Sequence, residues 1–269
     1  MRVRPPAVAG RFYPADARAL RSVIAEQLGE HRPPPPEIQP LRPKAIVVPH
    51  AGYVFSGRVA ASAFALLRRP GPPVERVVLL GPAHTVALEG MAVSSADVWE
   101  TPLGTVPVDS DCRDRLAARP HVAVDDRPHT LEHSLEVEVP FLQSVLAPGW
   151  TLVPIVVGNA RPEWVADALD CCWGGDETLI VVSTDMSHFE PDARAREHDH
   201  RTALSVLASR DTDIGTRDAC GARPLKGLIV ASRRHGLQPE LVDTANSADA
   251  GADPDRVVGY ASFAYEPVP

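Results

Sequence analysis

The chain has 269 residues, 44% of them apolar, with 35 acidic against 27 basic side chains and a formal charge of −8. That is enough apolar material for one sizeable core, and the acidic balance argues against nucleic acid or an anionic membrane as a partner, because both call for basic surface. No apolar run approaches the ~18 residues of a membrane span, and the opening MRVRPPAVAGRFYP lacks a signal-like apolar stretch, so the expectation is a cytoplasmic protein forming a single domain over 1–269.

In chain order, DARALRSVIAEQLGEH places Leu20, Val23, Ile24 and Leu28 at helical spacing behind a capping Asp16. The proline-rich RPPPPEIQPLRP then reads as an extended connection, since proline fixes φ and removes amide donors. AIVV, VVLL at 77–80, TLVPIVVG at 151–158, TLIVVST at 178–184 and RVVGYASFAY at 256–265 read as strands. SGRVAASAFALLRR, EHSLEVEVPFLQSVL, EWVADALDCCW, HDHRTALSVLAS and ARPLKGLIVASRRH read as helices between them. This alternation predicts an α/β fold, a mixed and largely parallel sheet covered on both faces. MAVSSADVWETPLGTVPVD, with its Pro-Leu-Gly turn, predicts a hairpin on the sheet edge.

Two histidines stand just past strand ends, His50 in AIVVPHAG and His84 in VVLLGPAH. Such placement brings both imidazoles to the carboxyl edge of a sheet, where open α/β folds keep their ligand crevices, and it points to a shared metal site in need of a third ligand. The common hydrolase and nucleotide motifs, GxSxG, GxxxxGK[ST], GxGxxG and HExxH, are absent. Asp185 and His188 follow TLIVVST; they read as ligands, partners of ligands or acid–base groups, or else as a turn-capping Asp beside a solvent-facing His. His133 and Glu136 are spaced to share a helix face behind a capping Glu132, either with His133 turned to the site or as a surface ion pair.

Cys220, at a helix start, is a thiolate favoured by the helix N-terminus or a small buried apolar residue. Cys112, Cys171 and Cys172 show no CxxC spacing, and all four cysteines read as reduced thiols. Tyr53 reaches a substrate or packs, and Arg223 binds an anion or an ion-pair partner. His198 and His200 read as solvated, His31, His121 and His235 are assigned no part in the site, and His129 stands as a minor candidate for one.

PHAGYVFSG, GPAH, EHSLEVEVPF, STDMSH and CGARP, in that order between about Pro6 and Tyr265, resemble the MEMO family, mediators of cell motility whose prokaryotic members include the AmmeMemoRadiSam system protein B group. The resemblance implies a domain similar to the class III, LigB-type extradiol dioxygenases, with metal ligands falling on His50, His84 and Cys220. It also implies as partners a radical SAM protein and an AMMECR-type protein, besides a small molecule or peptide. Extradiol dioxygenases hold Fe(II) with two His and a carboxylate, so a thiolate at the third position departs from them and is softer. The cofactor expected is a transition metal, Fe(II) or copper first and zinc as the alternative. Three functions follow: a metal-dependent redox or oxygen-using enzyme in which Asp185, His188 and His133 move protons, a noncatalytic module binding a peptide or anion, or a zinc hydrolase.

Overall fold

The parallel centre of the sheet is written in unbroken apolar runs, because strands covered on both faces have no polar side to show. The computed structural model describes residues 1–29 and 42–267; the proline-rich connection falls almost wholly outside them. In chain order the first elements are β1 (Val3–Arg4), α1 (Ala17–Gly29), β2 (Ala45–Val48), α2 (Tyr53–Leu66), β3 (Arg76–Pro82), β4 (Met91–Val93), β5 (Val98–Thr101) and β6 (Gly104–Pro107). Then come α3 (Ser110–Ala117), β7 (Val122–Val124), α4 (Arg127–Thr130), a 3-10 turn at Glu136–Glu138, α5 (Val139–Val145), β8 (Thr151–Val157), α6 (Pro162–Cys172) and β9 (Thr178–Ser183). The last part holds β10 (His188–Glu190), α7 (Asp192–Leu207), α8 (Ala222–Arg234), β11 (Leu237–Asn246) and β12 (Val257–Pro267).

The main sheet runs β10-β12-β2-β9-β3-β8-β4-β7, with β11 also paired to β12. β2, β9, β3 and β8 are mutually parallel, whereas β12 joins β2, and β4 joins β8, in antiparallel fashion. Side chains alternate between the two faces. Val47, Leu80, Val182 and Ile155 pack with Leu116 of α3, Leu169 of α6 and Leu228 of α8. Val48, Leu79, Val181 and Val156 pack with Ile24 of α1, Phe64 of α2 and Phe141 of α5. The single-domain α/β architecture with helices on both faces is the one the alternation of runs predicts, and α1 opens as expected, with the Asp16 carboxylate accepting from the Ala19 N–H at 2.8 Å.

Three readings are corrected, and one strand that the sequence did not signal is added. β5 and β6 do form a hairpin, but it pairs with β1 in a separate three-stranded sheet, and the main one is joined by Met91–Val93 and by a single bridge from Val108 to Leu152. The reason is Trp99 of β5, buried beneath the Arg4 guanidinium, which draws the hairpin onto the N-terminal segment. EHSLEVEVPFLQSVL is α-helical only from Val139, because the residues before it are spent on site contacts described below. β11 carries too few apolar residues to announce itself; it is an edge strand, and Pro239 is tolerated there for that reason. Cys112 of α3 and Cys172 of α6 are joined as a disulfide rather than standing as free thiols, and at a sequence separation of 60 no local spacing signals the pair.

Candidate metal centre

β2, β3 and β9 all end at the same edge, and the chain leaves each one through polar residues: Pro49-His50 after β2, Ala83-His84 after β3, and Thr184-Asp185 after β9. Cys220 arrives there from the start of α8, one residue before its capping Gly221. One ligating atom each from His50, His84 and Cys220 lies within 4.8 Å of the others. Cys220 Sγ stands 3.2 Å from His50 Nε2, and the two imidazole centroids are 5.2 Å apart. His50 is buried, Cys220 half-buried and His84 exposed, so the group is sealed on one side and open on the other.

The rings are held as metal-binding imidazoles are held, with the nitrogen away from the site fixed by an acceptor. His84 Nδ1 lies 2.9 Å from Glu132 Oε1, and the His84 peptide N–H donates to Glu132 Oε2 at 2.7 Å. His50 Nδ1 lies 2.7 Å from Ser183 Oγ, which itself donates to the buried Glu138 at 2.8 Å. With the serine proton committed to Glu138, its oxygen accepts from Nδ1, and the His50 Nε2 lone pair faces Cys220. The donor set therefore fits a soft or borderline transition ion: two imidazoles and one sulfur, with room for further ligands on the open side.

Charge at the site follows from burial and partners. Burial drives the His50 pKa well down, and the neighbouring His84, His133 and His188 push the same way, so its ring is neutral and ready to donate a lone pair. Burial would raise Glu132, but the His84 imidazole and the peptide N–H groups of His84 and Ser134 outweigh it and hold the carboxyl down to about 2. Burial pushes Glu138 well above the carboxylate range, with Asp185 adding to the rise. Burial and then the Asp185 charge push the Cys220 thiol up to about 12. A helix start was expected to favour thiolate; here the Gly221 N–H is engaged by Thr184 Oγ1 at 2.8 Å, and desolvation dominates. A cation in the group would work against that burial.

Asp185 belongs to the frame of the site. Its Oδ1 accepts from the peptide N–H groups of His50 at 2.7 Å and Ala51 at 3.2 Å, and its own N–H donates to Cys220 Sγ at 3.3 Å. Burial raises its carboxyl to about 6, while the His50 N–H works against the rise. His133 stacks on His84 at 4.8 Å, has its Nδ1 3.4 Å from Glu132 Oε1, and packs against Phe12 at 4.6 Å. His84, Glu132 and His133 also bring ligating atoms within 4.8 Å. The Glu132 oxygens, however, already face the N–H groups of His84, His133 and Ser134 and the His84 ring, which makes Glu132 a holder of ligands.

Other expectations are corrected. His133 precedes the 3-10 turn and shares no helix face with Glu136, whose carboxylate turns instead to Arg4, to Tyr13 Oη at 2.6 Å and to the N–H groups of Ala7 and Val8. His188 is exposed, with Nδ1 2.8 Å from the Met186 carbonyl, and does not join the ligand group. Tyr53 is buried and donates to the Val137 carbonyl at 2.6 Å, so it packs. His198 is half-buried between Asp218 and Glu190, not solvated. Sequence reasoning missed Ser183 and Glu138, whose only signals were a serine closing a buried strand and an acid set inside the apolar VEVPF.

A family model described as Memo-like protein matches residues 4–264. The chain belongs to the MEMO family. MEMO1 family proteins of Aquifex aeolicus and Methanopyrus kandleri are each 36% identical to it, each match covering 97% of this chain and 98% of the relative. One from Ignicoccus hospitalis is 35% identical over the full length of both chains. Among solved structures, an uncharacterized protein of Escherichia coli K12, JW3007, matches with a TM-score of 0.53 and 14% identity over 82% of this MEMO chain and 99% of its own, a likeness of fold alone. Among the described residues no helix is long and apolar enough to cross a membrane.

Proposed function

We propose that this MEMO family protein binds one transition metal ion through His50, His84 and Cys220 and uses it in a redox or oxygen-using reaction on a small molecule. The observation that carries the reading is the approach of the three ligating atoms to within 4.8 Å while acceptors hold the far nitrogens of both rings. A bound ion would supply Lewis acidity and, as iron or copper, one-electron chemistry; the sulfur donor inclines the site to copper or zinc more than the carboxylate of the LigB-type dioxygenases would. The protein's own residues do the rest. Glu132 orients His84, Asp185 ties the His50 and Cys220 loops together, and His133 is the half-buried base placed to hold or move a proton beside His84. His188, exposed at the rim, would exchange protons with solvent.

A second reading, a noncatalytic module for a peptide, draws support from exposed Val54, Phe55, Leu131 and Phe189 on segments that leave the site; zinc hydrolysis and partnership with radical SAM and AMMECR-type proteins rest on chemical and family analogy. The deciding experiment measures the metal content of purified protein and of Cys220→Ser. A hydroxyl that stays protonated replaces a soft donor, so metal retention should fall by at least about 100-fold with the fold intact by circular dichroism. Equal stoichiometry and affinity in the variant would remove Cys220 from the site, and a redox-inert wild-type ion would favour the hydrolase.

A further inference from the structure

A cleft of about 270 Å³ opens beside the ligand group, lined by His84, Cys220, Arg223, Asn159 and Glu89 among others. Arg223 lies three residues past Cys220, in the first turn of α8, so ligand and guanidinium are carried by one rigid element. Its Nη2 donates to Asn159 Oδ1 at 3.0 Å, and Asn159 Nδ2 in turn donates to Glu89 at 2.9 Å. The amide thus keeps acid and base apart, and among the described residues no carboxylate lies within ion-pair distance of Arg223. A guanidinium offers five N–H donors in a planar fork, and one hydrogen bond leaves most of them unused.

We propose that this cleft takes a small molecule carrying a carboxylate, which Arg223 holds while a second donor atom of the same molecule reaches the metal position; the proposal rests on the His50–His84–Cys220 reading. A monoanion fits better than a phosphate dianion because a single guanidinium faces it and Glu89 stands on the rim. Arg223 is then a binding residue that selects the substrate class, and Asn159 fixes its fork.

The test uses full-length protein loaded with cobalt(II), titrated under visible absorption with imidazole-4-acetate, imidazole-4-propanoate and neutral 4-methylimidazole. A charge-assisted hydrogen bond should make at least one acid bind about 10–100-fold more tightly than 4-methylimidazole. In Arg223→Met the preference should vanish while 4-methylimidazole binds within about twofold of wild type, and Arg223→Lys should retain part of it. Asn159→Asp, which places a carboxylate on the guanidinium, is the second disabling change should Arg223→Met fail to fold. Acids binding no better than 4-methylimidazole to wild type, or keeping their advantage in the disabled variants, would overturn the proposal. Inorganic phosphate competing more strongly than either acid would overturn the choice of carboxylate. Failure of wild type to take up cobalt would overturn the metal reading and this proposal with it, whereas uptake without acid preference would overturn this proposal alone.

Discussion

Glu132 shows how one buried carboxylate can organise a site without binding an ion. It fixes the His84 ring and the backbone of the 132–134 turn, so Glu132→Gln, which keeps the shape and loses the charge, should cost about 10–100-fold in metal affinity by titration. Asp185→Asn should fall in the same range, and His188→Ala should stay near wild type because His188 touches no ligand. The charge on Glu132 also has a pH signature. Its pKa lies at about 2 in the fold against a usual 4.5, so in metal-free protein its contribution is complete above about 4.5 and is lost as pH falls towards 2. Denaturation curves of wild type and Glu132→Gln should therefore converge through that window; parallel curves would refute the assignment. At this scale the sequence was half legible. His50, His84 and Cys220 stood at element ends or matched family blocks, but Ser183, Glu138 and the holding role of Glu132 depend on contacts made across 45 residues or more.

Among the elements, α8 bears on the site through its packing on α6. Gly227 faces Val165 so closely that an added Cβ would overlap the valine side chain. Gly227→Ala should cost about 1–2 kcal/mol in denaturant unfolding, overpacking of about 1–3 kcal/mol outweighing up to about 1 kcal/mol of helix propensity. Since the first turn of α8 adjoins Cys220, metal affinity should drop as well; a stability loss with unchanged affinity would separate the helix from the site. Helices with a clear apolar stripe, such as α1, were legible in the sequence, as were the buried strands. β11 and the sheet membership of the β5–β6 hairpin were not, because an edge strand needs no strong apolar pattern and a hairpin's partner is chosen by tertiary packing, here of Trp99 against Arg4.

In the molecule as a whole, the N-terminal segment braces the site wall. Arg4, 5% exposed, pairs with Glu136 and donates to the carbonyls of His129 and Glu132, so the last residue of β1 anchors the turn that holds His84. Arg4→Met should cost about 3–5 kcal/mol by urea denaturation, because it leaves a buried carboxylate without its cation. A loss under about 1 kcal/mol would show that Tyr13 and the N–H groups of Ala7 and Val8 suffice. The overall α/β plan was legible because both faces of a parallel sheet must be apolar, whereas the brace was not, since nothing local links Arg4 to residue 136. The strand order has a further consequence for synthesis. β9 lies between β2 and β3, so while the ribosome delivers the chain the two earlier strands cannot complete their pairing, and a central slot stays open until residue 183 has left the exit tunnel. Nascent chains halted before that point should expose unsatisfied apolar edges and recruit chaperones, and those halted well beyond it should not.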